Sequence, residues 1–139
     1  MKILSSTLSI KIRFSEIDAM RVVWHGEYVK YFEDAREYFG SIYALGYNVF
    51  EENKVFAPIV DLSIQYKRPL KYGMQPEVTI TYRYTEAAKI IFDYEIRDAD
   101  SHEIVATATT VQVFMDLNYE LIWINPPFYE EWKNKWLKG

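Results

Sequence analysis

The chain has 139 residues, half of them hydrophobic and 26% charged, with no cysteine, two histidines and a formal charge of −4. Lack of cysteine excludes a disulfide framework, a thiol nucleophile and thiolate metal ligands, and two histidines leave little for a zinc site. The acidic balance argues against general nucleic-acid binding, and no run approaches the roughly eighteen apolar residues that span a bilayer, so the expectation is one cytoplasmic domain over 1–139 with no membrane span.

Leu8, Ile10, Ile12 and Phe14 alternate with Ser9, Lys11 and Arg13, the period of a half-buried strand, here ending at Ser15. From Gly26 the period lengthens. Tyr28, Phe32, Ala35, Phe39 and Ile42 or Tyr43 recur at helical spacing, with Lys30, Glu33, Asp34, Glu37 and Ser41 largely between them. This predicts one long helix to Leu45, with Gly46 as its left-handed cap, and a structural charge pair between Glu33 and Arg36.

Phe56 to Tyr66 reads as a strand stopped by Lys67-Arg68-Pro69, and Pro69 and Gly73 punctuate the following loop. Val78, Ile80, Tyr82 and Tyr84 alternate with polar residues, and Ile90 to Arg97 answers them after a break at Glu86 to Lys89, which predicts a hairpin. Glu103 to Met115, rich in Val and Thr, suits a central strand. Asn125-Pro126-Pro127 then opens a short amphipathic helix whose Phe128, Trp132 and Trp136 stripe serves packing. The class is therefore α+β, with a five-stranded antiparallel sheet curled around one long helix and a short C-terminal helix.

The segment between the first strand and the long helix holds the chemistry-bearing residues. Asp18 lies seven residues before the helix start, among Ile17, Ala19, Met20, Val22 and Val23. Two roles suit it, a turn-forming acid or a catalytic carboxylate. His25 likewise either packs at the helix start or takes part in chemistry. Lys67, Arg68 and Lys71 are either a solvated loop or a phosphate-binding cluster.

The run Phe14-x-Glu16-x-Asp18-x-Met20-x-Val22-Val23-x-His25-x-x-Tyr28-x-x-Tyr31-Phe32-Glu33-x-Ala35-Arg36 resembles the active-site signature of the 4-hydroxybenzoyl-CoA thioesterase family of hotdog-fold acyl-CoA thioesterases. The resemblance continues through Tyr66-Lys67-Arg68-Pro69-Leu70-x-Tyr72-Gly73 and Ala106-x-Ala108-x-Thr110 to Asp116, in the family's order.

It implies a hotdog fold and hydrolysis of an acyl-CoA to free acid and CoA. Asp18 would act as nucleophile or general base, and the amides of His25 and Gly26 would hold the carbonyl oxygen. A helix start supplies such donors, since its first N–H groups are unpaired and carry the positive end of the dipole. Gly26 would also let the backbone approach a ligand. A thiolate leaves readily, so a carboxylate suffices and no cofactor is implied, coenzyme A being part of the substrate.

The resemblance further implies Tyr28 in the substrate cleft, and Lys67, Arg68, Lys71 and Lys89 against the CoA phosphates; Arg21 either reaches into the cleft to meet the substrate or Asp18, or stands exposed on a differently bent loop. The expected assembly is a homodimer or homotetramer with its long helices facing and its active sites shared, Ile59 and Val60 of one copy lining the other's pocket. Two residues depart from the family pattern: Arg21 replaces a usual Gly, and Met74 a usual acid. They keep open a non-catalytic acyl-thioester binding or scaffold protein, beside a dehydratase or hydratase on the same fold.

Overall fold

A computed structural model describes residues 1–138. Three long strands, β3 (Pro76–Arg83), β4 (Lys89–Asp98) and β5 (Ile104–Met115), alternate between buried and partly open residues along most of their length. On the β3 side lies β1 (Ser5–Ser9), and on the β5 side β2 (Ile59–Tyr66). All pairings are antiparallel, in the order β1-β3-β4-β5-β2. The inward residues Val78, Ile80, Phe92, Tyr94, Ile96 and Ala106 are buried, and Phe92 and Tyr94 pack on Phe39 and Phe32 of the long helix α1 (Tyr28–Tyr43). The expected sheet around one helix is present, with a two-residue β6 (Leu121–Ile122) added on the end of β5.

β1 is displaced from its predicted position. Its ladder runs from Ser5 opposite Thr81 to Ser9 opposite Glu77, and the Ile10 N–H makes a last bond to Pro76 O at 2.9 Å. Pro76 opens β3, so beyond it β1 has no strand to pair with. The chain turns away: Ile12 is buried, while Phe14 stands outside the core.

α1 buries the expected stripe of Tyr28, Phe32, Ala35 and Phe39, plus Tyr31 and Gly40. The stripe ends on Tyr43, which packs on Phe39 and on Trp136, whereas Ile42 faces outward. The left-handed cap falls on Ala44 (φ 55°, ψ 48°), not on Gly46, which is extended and opens a short helix α2 (Tyr47–Glu52). The glycines serve a close crossing instead: a Cβ on Gly40 would sit 2.6 Å from the Gly46 backbone.

α3 (Pro127–Leu137) carries proline in its first turn, as expected. It buries Trp132, while Phe128 and Trp136 are half-buried and Tyr129 is fully enclosed. The Trp132 indole N–H donates to Tyr43 O at 2.6 Å, which latches α3 to the end of α1.

The predicted Glu33–Arg36 pair does not form. Arg36 turns inward and donates to the Tyr94 hydroxyl at 3.0 Å, and that hydroxyl bonds to Thr110 Oγ1 at 2.7 Å. A half-buried guanidinium gains more from this fixed acceptor than from an exposed carboxylate on its own helix.

α1 lies over β1, β3 and β4. It leaves the inward side of β2 open, where Leu62 is 38% and Tyr66 47% exposed. No helix among the described residues is long and apolar enough to cross a membrane.

Candidate active site

Residues 13–28 fold into a small hydrogen-bonded frame. Phe14–Glu16 is a turn of 3-10 helix, and Glu16 Oε1 accepts from Arg13 N–H at 2.9 Å and from the Tyr31 hydroxyl at 2.7 Å. Burial first, then this bond, raises the Tyr31 phenol above its ordinary pKa. Ile17 and Val23 bridge as a minimal antiparallel pair. Between them runs a tight turn in which Arg21 N–H donates to Asp18 O at 3.0 Å and Asp18 N–H to Val22 O at 2.9 Å.

Asp18 organises that turn. Its Oδ1 accepts from Met20 N–H at 2.8 Å and from Val22 N–H at 3.4 Å, the turn-forming role open from the sequence. Among the described residues Oδ2 has no hydrogen-bond partner, so one oxygen fixes the carboxylate's rotation and the other is open to a ligand. Arg21 takes the left-handed conformation (φ 66°) that a side chain makes costly. It is exposed and does not line the cleft beside Asp18.

Val23 N–H donates to Leu70 O at 2.7 Å, and this staples the frame to the segment after β2. The chain then makes a second 3-10 turn, His25–Glu27, that runs into α1. Among the described residues, no acceptor is found for the amide N–H of His25 or of Gly26. The Tyr66 hydroxyl, at the end of β2, donates to His25 O at 2.7 Å and ties that turn to the sheet edge. The Tyr66 ring meets Tyr28 edge-on, centroids 4.8 Å apart, and His25 at 6.3 Å. Burial, and secondarily Tyr66, pushes the Tyr28 phenol up to about 12. Burial also raises Tyr66, so both phenols keep their protons at neutral pH.

An open cleft of about 310 Å³ is bounded by Asp18, His25, Tyr28, Tyr66, Lys67 and Arg68. The structure thus brings together five sequence-predicted site residues (Asp18, His25, Tyr28, Lys67 and Arg68) and leaves others apart. Gly26 is not the ligand-approach glycine expected, because a Cβ there would meet the Trp24 ring at 2.2 Å; the residue makes room for tryptophan. Lys71 lies outside the cleft, its N–H bonded to the Met74 sulfur at 3.1 Å. Ile59, Val60 and Lys89 do not reach this cleft in the same protomer. Lys89 pairs with Val113 at the opposite end of the sheet from Tyr66, which pairs with Ala106. A larger cleft of about 930 Å³ runs beside α1 past Glu33, Arg36 and Gln112, and it does not include Asp18.

The residue that sequence reasoning missed is Tyr66. Its signal was an aromatic with a polar tip at a strand end, next to Lys67 and Arg68, where one end is dry and the other wet.

Residues 12–132 match the profile of the thioesterase-like superfamily. The chain belongs to this superfamily. This thioesterase-like chain is 29% identical over 114 residues to YneP of Bacillus subtilis (strain 168), a relative named as an acyl-CoA thioesterase, with 80% of each chain covered. It is 29% identical over 109 residues to the 1,4-dihydroxy-2-naphthoyl-CoA hydrolase of Synechococcus elongatus, covering 76% of this chain and 77% of that one. Among solved structures, the DHNA-CoA thioesterase of Staphylococcus aureus superposes with a TM-score of 0.84 at 25% identity, covering 96% of this chain and 91% of the other.

Proposed function

We propose that this protein is an acyl-CoA thioesterase of the 4-hydroxybenzoyl-CoA type, a single cytoplasmic domain that converts an acyl-CoA and water to free acid and CoA. One observation carries the reading: Asp18, with one carboxylate oxygen free of partners, and the unpartnered amides of His25 and Gly26 in the 3-10 turn that leads into α1 belong to one loop-and-turn frame, and Asp18 and His25 line the same cleft. Thioesterase names among the relatives support it.

In the reaction, Asp18 removes a proton from water, whose oxygen adds to the thioester carbonyl, or Asp18 itself adds and water then cleaves the anhydride. The His25 and Gly26 N–H groups hold the oxyanion, helped by the helix dipole. The C–S bond breaks and the sulfur leaves as a thiolate. On the general-base route it takes the proton that Asp18 removed from water, directly or through His25. On the nucleophile route, where Asp18 is then acylated, it takes a proton from solvent, while the water that cleaves the anhydride returns one proton to solvent and regenerates the Asp18 carboxylate. Tyr28 lies on the wall of the cleft, and Lys67, Arg68 and Lys71 serve the CoA phosphates. Arg21 stays at the rim. The reaction needs no resident cofactor, because coenzyme A enters with the substrate.

The working unit in this proposal is at least a homodimer. β2 is an edge strand with open backbone groups and an exposed inward side, Leu62 and Tyr66. A two-fold pairing centred on the middle of β2 would set Ile59 of one copy beside Tyr66 of the other and so place Ile59 and Val60 at the partner's cleft. Pairing dimers into a homotetramer with facing helices extends the same arrangement.

A panel of short, long and aromatic acyl-CoAs, assayed for free thiol, tests the reading. Asp18→Asn and Asp18→Ala should stay folded and lose nearly all thiol release. Retention of more than about a tenth of wild-type kcat, a barrier change of only ~1.4 kcal/mol, removes Asp18 from the central role. Binding of acyl-CoA without CoA release would favour the non-catalytic alternative, to which the strained Arg21 lends some support.

A further inference from the structure

Two large aromatic rings stand outside the core near the cleft. Phe14 is 77% and Tyr72 61% exposed, yet they meet edge-to-face with centroids 5.8 Å apart. They come from separate segments, Phe14 from the turn before Asp18 and Tyr72 from the turn after Leu70. The Val23 N–H bond to Leu70 O, 2.7 Å, joins those segments. A fold gains by burying such rings, so a built contact between two exposed ones invites a ligand.

The charges around the pair point to its chemistry. Arg13 and Lys71 flank the two rings in sequence, and Arg21 and Lys67 belong to the neighbouring turn and the cleft wall. Among the described residues none of these four has a carboxylate within 4.0 Å, whereas Arg68 pairs with Glu103 at 3.4 Å. Exposed ring faces bordered by unpaired cations, on a chain of net charge −4, match a purine base that carries phosphates.

We propose that Phe14 and Tyr72 form the seat for the adenine ring of coenzyme A, with Arg13 and Lys71 against its phosphates; this rests on the acyl-CoA reading. The edge-to-face arrangement leaves ring faces on which a third ring can stack. From Pro69, which lines the cleft, the chain reaches Tyr72 within at most about 11 Å. That limit keeps the rings within reach of the pantetheine arm, which separates thioester from nucleotide. Lys71, outside the cleft that holds the reacting carbon, keeps its role at the CoA phosphates.

The test compares an acyl-CoA with the matching acyl-pantetheine on wild type, Phe14→Ala, Tyr72→Ala and Tyr72→Phe, with adenosine 3′,5′-bisphosphate as competitor. Each alanine variant should raise the KM for acyl-CoA about tenfold, the scale of one lost base stack, and weaken the competitor equally. The kcat and the KM for acyl-pantetheine should stay near wild type, and Tyr72→Phe should behave as wild type. Equal KM changes on both substrates, or none on acyl-CoA, overturn the seat while leaving the thioesterase reading intact. Thiol release from neither substrate by wild type overturns the reading itself and the seat with it.

Discussion

At the scale of single residues, the hydroxyl of Tyr66 decides how the helix start is held. It donates to the carbonyl of His25, whose own N–H is one of the two unpartnered amides that we propose as the oxyanion donors. A hydrogen bond of this kind contributes about 0.5–1.5 kcal/mol, enough to hold a peptide plane in one orientation. Tyr66→Phe should therefore lower kcat about three- to tenfold with KM nearly unchanged, because donor orientation matters most where the oxyanion develops. Steady-state kinetics beside a thermal melt check this; equal losses in kcat and in stability would mark Tyr66 as packing alone. Its place at a wet strand end was legible, but its role was not, because its partner is a backbone carbonyl from a distant segment, which leaves no side-chain motif. The turn-forming role of Asp18 was legible because the acid and the Met20 and Val22 amides that it accepts from lie within five consecutive residues.

Among the elements, the helical period of α1 and the alternation of β3, β4 and β5 appear in the structure nearly as read, since each buries one regular face. β1 was misplaced because its length depends on its partner, and the alternation from Leu8 to Phe14 continues past the point where β3 begins. The end of α1 was misread for a related reason. A glycine after a helix suggests a left-handed cap, but Gly46 is needed where the chain crosses Gly40, and Ala44 takes the cap. Gly40→Ala separates two opposing effects. Helix propensity favours alanine by about 1 kcal/mol, while the new Cβ would lie 2.6 Å from the Gly46 backbone, a clash that cannot be relieved by a side-chain rotation. Overpacking of this kind costs about 1–3 kcal/mol, and here it should win. The urea midpoint should fall, and a rise would show that the α1–α2 connection shifts at little cost.

At the scale of the whole molecule, the surface area argues for assembly. A monomer of 16.6 kDa should expose roughly 7,600 Å², whereas this chain exposes 8534 Å². The excess, about 900 Å², is close to the roughly 800 Å² that each partner contributes to a standard interface. Part of the exposed apolar surface follows β2. Val60, a bulge residue in β2, is 57% exposed. It lies on the same edge strand as Leu62 and Tyr66, and Phe56 stacks on Tyr119 just before the strand's start. A second copy pairing along β2 would cover this line and satisfy the edge. Because Tyr66 belongs both to that edge and to the cleft, activity should depend on assembly. Sedimentation and kinetics measured over one dilution series should show kcat/KM falling as the dimer dissociates. Leu62→Lys, which puts a charge on the covered line without touching the Asp18 turn, should shift both curves to higher concentration together. A monomer with full activity would show that the edge and the site are independent, and would leave the exposed line along β2 to another partner.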